Sequence, residues 1–427
     1  MDALVLMGSF FLFMLLGMPV AYALGMASLI GALWIDLPLD GVMIQIASGV
    51  NKFSLLAIPF FVLAGAIMAE GGMARRLVAF ASVLVGFMRG GLALVNILAS
   101  TFFGAISGSS VADTASIGSV LIPEMERKGY PRDFSTAVTV SGSIQATLIP
   151  PSHNAVIYSL AAGGSVSVAA LFLAGVLPGL LLGLSIAILC VVIARKRNFP
   201  VGPRVSLKEA LRIAVDALWG LMTMVIILGG ILSGVFTATE SASIAVLWAF
   251  FVTMFIYRDY QWRDLPKLVH RTVKTVTIVM ILIGFAASFG YLMTLMQIPT
   301  KVTAFFVSIS SSKAMILLMI NIMLLLLGTL MDMAPLLLIL TPILLPVVTS
   351  LGVHPVHFGM IMIVNLGIGL ITPPVGSVLY VGSAVSKLPI GVITKAMLPF
   401  FAVLLVVLML VTYIPAISMW LPRSLGL

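Results

Sequence analysis

Gly104–Ala105–Ile106–Ser107–Gly108–Ser109–Ser110–Val111–Ala112–Asp113–Thr114 is a run of small and polar residues between two apolar stretches that would otherwise read as membrane helix. A second interruption, Ile149–Pro150–Pro151–Ser152–His153–Asn154, follows it. A Pro-Pro pair inside an apolar segment removes backbone donors, blocks helix continuation and leaves carbonyls free. Both breaks recur. Thr372–Pro373–Pro374–Val375 lies 223 residues beyond the first Pro-Pro pair, and Gly328–Thr329–Leu330–Met331–Asp332–Met333–Ala334–Pro335 lies at nearly the same distance from the Ser-rich run. Paired helix interruptions in two successive halves are the pattern of secondary transporters, whose ligands bind at such breaks.

Composition sets the class. The 427 residues are 61% hydrophobic and 9% charged, with a mean hydropathy of +1.23. Runs such as Val168–Ala194 and Thr275–Met296 exceed the roughly 20 residues that cross a bilayer as helix. An all-α polytopic membrane protein follows, because each backbone polar group in hydrocarbon needs a partner within its own segment. The net charge of +9 does not point to nucleic acid. Arg195, Lys196, Arg197, Arg204, Lys208 and Arg212 crowd one loop, and Arg258, Arg263, Lys267, Arg271 and Lys274 another, which marks both as cytoplasmic. The single cysteine, Cys190, sits in an apolar run and offers neither a disulfide nor a metal cluster. Asp2 stands where a signal peptide carries its basic region, so Met1–Ile35 reads as retained membrane helix, in the inner membrane of a bacterium-like cell. Whether it is one helix kinked at Gly17–Met18–Pro19 or two short ones stays open.

The order of segments repeats. Residues 1–89 read as scaffold helices and an interfacial arm, 90–165 as a re-entrant hairpin and a broken helix, and 166–212 as a returning helix and basic loop. The second half runs as scaffold and arm over 213–311, hairpin and broken helix over 312–386, and a final helix over 387–427. Gly65 and Gly290 are 225 residues apart, Pro123 and Pro346 223, Pro178 and Pro399 221. The loop charges make the repeats inverted, each with about five crossings and one hairpin, and put both termini outside.

Ser107–Thr114, Leu55–Leu56–Ala57–Ile58–Pro59–Phe60–Phe61, Ile149–Ser152 and Gly369–Leu370–Ile371–Thr372–Pro373–Pro374–Val375–Gly376 together resemble the large membrane subunit, DctM type, of tripartite ATP-independent periplasmic (TRAP) transporters. The resemblance covers essentially the whole chain. It implies sodium-driven uptake of a carboxylate-bearing solute handed over by a periplasmic solute-binding protein. A small four-helix membrane subunit is implied as a separate partner, as is an elevator mechanism in which hairpins and broken helices slide against the scaffold. His153–Asn154 departs from the aliphatic residue and second proline common after Pro-Pro-Ser in this family.

The residues make a case for a cation site on their own. A helix broken in the membrane exposes carbonyls at its half-end, and a desolvated Na⁺ takes several such oxygens. Ser107 and Ser110, with Leu148 and Pro150 opposite, form one candidate cage; Gly328, Met331, Gly369 and Thr372 form its counterpart. Small residues alone could merely permit close packing, but four breaks at equivalent positions favour binding. With no Lys or Arg at either tip, the anionic solute falls to half-helix N-termini and to hydrogen bonds from Ser109, Ser110, Ser152, Asn154 and Thr372, with Asp332 as acceptor for a hydroxyl. Asp113 reads as either a cap or a functional acid, and Glu240 or Thr239 as a helix cap. Neither a phosphate-binding Gly-x-x-x-x-Gly-Lys-Ser/Thr loop nor His-Glu-x-x-His is present, which argues against a pump and a metalloenzyme. A channel is the competing class. Sialic acid, sugar acids and dicarboxylates all fit as solute.

Overall fold

The computed structural model describes residues 1–203 and 205–427, so Arg204 of the first basic loop lies outside the described residues. Among them there is no β-strand, only a bridge between Arg89 and Val201. Seven helical stretches among the described residues are long and apolar enough to cross a membrane.

Gly17 (φ +83°) and Pro19 separate α1 (Asp2–Leu15) from α2 (Val20–Trp34), so the first 35 residues are two short helices. Sequence reading gave no helix between Pro38 and Val50, where the structure has α3 (Leu39–Val50). A 3₁₀ turn leads into α4 (Ala57–Glu70), and the arm is α5 (Met73–Val85). The first hairpin is α6 (Gly91–Ser107) and α7 (Ser110–Arg127). The first broken helix is α8 (Arg132–Gly142), α9 (Gln145–Leu148) and α10 (His153–Ala161), after which α11 (Val168–Lys196) returns over 29 residues.

The second half repeats that order with α12 (Leu207–Leu232), α13 (Ala238–Phe251) extended by a π-helical turn, α14 (Leu265–Leu295) and the arm α15 (Ile298–Ile309). Then come the hairpin α16 (Lys313–Gly328) and α17 (Met333–Ser350), and the broken helix α18 (Pro355–Gly369) and α19 (Ser377–Ser386). The chain closes with α20 (Ile390–Tyr413) and a short α21 (Ala416–Ser424) in place of a single final helix. Both Pro-Pro peptides, Pro150–Pro151 and Pro373–Pro374, are cis. At the start of α13 the cap is Thr237, not Thr239 or Glu240. Its hydroxyl accepts from the Glu240 N–H at 3.3 Å while the Glu240 carboxylate accepts from the Thr237 N–H at 2.8 Å. This reciprocal box satisfies two otherwise orphaned donors.

The broken helices are the innermost elements. Every residue of α8 from Phe134 to Gly142 is buried, and so is every residue of α18 from Val356 to Gly369. α8 carries Ser135, Thr136 and Thr139 in that dry setting because each hydroxyl donates to the carbonyl four residues back. No such bond needs a neighbour, so a polar helix can pack at the centre at low cost. Across helices, Asn365 donates to both the carbonyl and the side-chain oxygen of Asn321 at 2.9 Å, and Asn321 donates to Thr412 at 2.9 Å. That network ties α18 to α16 and α20.

The two halves interlock. Tyr158 on α10 donates to the Pro355 carbonyl at 2.7 Å, and its ring fills the space beside Gly359, where a Cβ would come within 2.6 Å of it. At the edge of the bundle, Arg76 on α5 bridges Asp216 and Asp259 and stacks 3.7 Å from the Tyr257 ring centroid. One guanidinium thereby pins the first arm to the second half's scaffold helices.

Candidate functional site

At the first tip the chain reverses at Gly108 (φ +60°), where a Cβ would lie 2.4 Å from the Pro151 carbonyl oxygen. Only glycine lets hairpin and broken helix approach so closely. Ser109 is the N-cap of α7, accepting from the Ala112 N–H at 3.3 Å. Asp113 therefore is not the cap; it sits one turn inside the helix, fully buried, with neither carboxylate oxygen hydrogen-bonded. The Ser100 hydroxyl faces it without completing a bond of ordinary geometry. Ser107 accepts from the Ser109 N–H at 3.4 Å, whereas the buried Ser110 hydroxyl has no partner.

At the facing break, Ser152 caps α10 by accepting from the Ala155 N–H at 3.4 Å and also donates to the Thr147 carbonyl at 2.6 Å. Its hydroxyl stitches the two half-helices together. The Leu148 carbonyl is turned toward Gly175 of α11, where a Cβ would lie 2.1 Å from it. Pro150 is buried between the half-helices.

The second pair of breaks closes backbone against backbone. A Cβ on Gly369 would stand 2.7 Å from the Gly328 carbonyl oxygen, and the Val375 N–H donates to the Thr329 carbonyl at 3.1 Å. Thr372 donates its hydroxyl to the Ile368 carbonyl at 2.7 Å, and its own carbonyl accepts from the Gly376 N–H at 3.2 Å. Met331 is buried beside them. Asp332 caps α17, accepting from the Met333 N–H at 2.8 Å.

All four breaks contribute to one small cavity of about 110 Å³. Ser109 and Ser110 come from the first hairpin, Asn154 and His153 from the first broken helix, Asp332 from the second hairpin and Leu370 from the second broken helix. Of the residues expected to contact solute, Ser109, Ser110, Asn154 and Asp332 are thus brought together; Ser152 and Thr372 are not among its lining. A larger cavity of about 430 Å³ shares Ser109, Val111 and His153 with it and runs between the first hairpin and the scaffold helices α4 and α14. Glu70 and Arg271 line that cavity as an ion pair of 2.7 Å, with the Tyr260 hydroxyl donating to Glu70 at 2.7 Å. Sequence reasoning missed Thr147, Thr272, Thr275 and the inward role of Arg271, which had counted only as a loop charge. His153 was visible only by its place after the prolines; its ring lies against the Gly108 carbonyl. A carboxylate, an amide, hydroxyls and an imidazole around a small enclosed space can hold a compact polar solute or an ion, but offer no activated nucleophile.

An all-helical polytopic protein whose hairpins and broken helices converge on an internal cavity with polar lining has the architecture of a secondary transporter. The model of the tripartite ATP-independent periplasmic transporter DctM component matches residues 7–417, and the chain belongs to that family. It is 47% identical over 377 residues, 88% of each chain, to the C4-dicarboxylate TRAP transporter large permease protein DctM of Pseudomonas aeruginosa. It is 45% identical over 423 residues, 98% of this chain and 97% of the other, to the uncharacterized protein YgiK of Salmonella typhimurium. Among solved structures, the Alcanivorax borkumensis YdaH transporter superposes with a TM-score of 0.64 at 15% identity, covering 91% of this chain and 89% of that one, a likeness of fold. The chain is a large permease subunit of the inner membrane, not an enzyme, and its family implies association with a small membrane subunit and a periplasmic binding protein.

Proposed function

We propose that the chain carries a carboxylate-bearing organic acid inward together with Na⁺, taking the solute from a periplasmic binding protein. The observation that carries this reading is the convergence of all four breaks on the cavity of Ser109, Ser110, Asn154 and Asp332. The solute occupies that cavity and its continuation toward the scaffold. A C4-dicarboxylate is the favoured class, because the relative 47% identical is named for one.

One Na⁺ is held at the first pair of breaks by Ser107, Ser110, Leu148 and Pro150, and a second by Gly328, Met331, Gly369 and Thr372. The unpartnered Ser110 hydroxyl supports the first cage, and the close backbone approach of Gly328 and Gly369 supports the second. Bound cations near breaks that carry no Lys or Arg supply charge that a carboxylate needs there, Arg271 in the adjoining cavity being paired with Glu70, which makes solute affinity depend on sodium. Residues 90–165 and 312–386 form the moving body; 1–89 and 213–311 form the scaffold that the small subunit covers. The interlock of Tyr158 with Pro355 and Gly359 supports one body rather than two. Residues 166–212 and 387–427 supply the returning and final helices.

The test is uptake of labelled succinate, and separately of sialic acid, into proteoliposomes holding the chain, its small subunit and its binding protein. Saturable succinate uptake is expected under an inward sodium gradient, without ATP. Equal uptake in sodium-free buffer would refute the coupling. Sialic acid taken up in preference would refute the solute class.

A further inference from the structure

A third cavity, of about 320 Å³, lies between the scaffold and the second hairpin at the far end of α14. The inner cavity meets α14 from Arg271 to Val279, beginning next to the basic loop, whereas this one meets it from Ile283 to Thr294. Their nearest lining residues, Val279 and Ile283, are only about 6 Å apart along the helix, so the two spaces follow one another along α14 toward the end away from the basic loop. The repeat relation holds here too, since Gly65 lines the inner cavity and Gly290 lines this one. With the basic loop cytoplasmic, this cavity faces the periplasm.

Its walls differ in kind. Leu338 and Pro342 of the second hairpin make one side apolar. The scaffold side, apolar at Ile283, Ala286 and Ala287 of α14, also carries two polar rows, Gln45 and Ser48 on α3 with Lys52 just past its end, and Tyr291 and Thr294 on α14. Residues three apart on a helix share a face, so each row looks into the space. Ser48 and Thr294 donate to their own helices, to the carbonyls of Ile44 and Gly290, and keep only acceptor capacity. Lys52, Gln45 and Tyr291 make no side-chain hydrogen bond or ion pair among the described residues, and no acidic side chain is among the cavity's lining. An acyl chain needs no pair of polar rows. An unopposed ammonium with an amide and a phenol as free donors is the equipment for a carboxylate.

We propose that this cavity is a periplasmic waypoint that takes the carboxylate of the incoming solute on Lys52, Gln45 and Tyr291 before it reaches the breaks. The proposal rests on the reading of the chain as an importer of an organic acid. It adds a site apart from the two proposed sodium cages that carries its own cation, Lys52, so binding there does not require sodium. Two measurements separate its failure from failure of that reading.

The one native cysteine, Cys190, is buried, so Ser48→Cys can be labelled with a maleimide in the full complex. Succinate in sodium-free buffer is expected to slow that labelling at least threefold, and to lose the effect when Lys52→Gln is added. Labelling indifferent to succinate overturns the waypoint, whatever uptake does. In proteoliposomes, Lys52→Gln is expected to raise the succinate KM about tenfold and Lys52→Glu more, with Vmax and the sodium dependence unchanged and Lys52→Arg close to the parent. Kinetics equal in all four proteins would also overturn it. So would Thr294→Trp if it expelled a co-purifying phospholipid and left KM unchanged, because the space would then be a lipid crevice. Protected labelling without any succinate uptake by the parent would instead count against the importer reading.

Discussion

Replacing Gly369 by alanine puts a methyl group 2.7 Å from the Gly328 carbonyl oxygen and 2.8 Å from its carbonyl carbon and Cα. Ordinary contact begins near 3.4 Å, so the hairpin backbone must retreat by about 0.7 Å, and no flexible side chain is there to give way. The reciprocal Gly328→Ala is milder, its methyl meeting the Gly369 Cα at 3.2 Å, a shortfall of about 0.2 Å. Overpacking a tight contact costs about 1–3 kcal/mol, which assigns that range to Gly369→Ala and less than about 1 kcal/mol to Gly328→Ala. The movement falls on two of the four residues proposed to hold the second Na⁺. A ligand stabilises the folded protein according to its concentration relative to Kd, so melting of the purified complex in a sodium series reports both effects. Gly369→Ala is expected to melt several degrees lower and to lose part of its stabilisation by sodium, while Gly328→Ala keeps most of both. Equal behaviour of the two variants, or a Gly369→Ala protein with the parent's sodium response, would refute the reasoning.

Asp332→Asn preserves the cap of α17, since asparagine caps as well as aspartate, and removes only charge; uptake is expected to fall at least about tenfold at an unchanged melting temperature. Ser152→Ala should behave in the opposite way, because its hydroxyl joins the Thr147 carbonyl and the Ala155 N–H. A stability loss of about 0.5–2 kcal/mol is expected, read by melting, with uptake per folded molecule reduced less than in Asp332→Asn. Asn365→Ala strands the Asn321 side-chain oxygen inside the bundle and is expected to cost roughly 0.6–1.7 kcal/mol, the scale of interhelical hydrogen bonds in membranes, with KM for the solute unchanged.

The architecture was legible wherever a local signal breaks a monotonous one. Gly108 and the two Pro-Pro pairs interrupt apolar runs, and each interruption follows a helix end, at Ser107, Leu148 and Gly369, one, two and four residues earlier. α3 escaped notice because Gln45, Ser48 and Gly49 dilute its apolar pattern, and those residues face a cavity that no local window contains. For the site, residue types and positions were readable but the directions of hydroxyls were not. Ser152 and Ser110 look equivalent as sequence; one is bonded twice to its own break and the other to nothing. Asp113 and Ser109 are both possible caps, and the extended backbone of Ser109 (φ −136°, ψ 116°) decides between them. The Asn321–Asn365–Thr412 network joins three helices far apart in the chain, so single polar residues in apolar runs gave no hint of it.

The bond from Tyr158 to Pro355 spans 197 positions. At translation rates of about 5–20 residues per second, α10 leaves the ribosome roughly 10–40 s before its acceptor exists. Throughout that interval the first half has α8, with its row of hydroxyls, packed on α6, α7 and α11 but still without α19 and α20, which cover it in the finished fold. Back-bonding lets the Ser135, Thr136 and Thr139 hydroxyls wait with their donors already used, whereas the Tyr158 hydroxyl must borrow a partner from the insertion machinery or from water. This joint between the halves is therefore among the last contacts the carrier can make, closing only once the second half has threaded in.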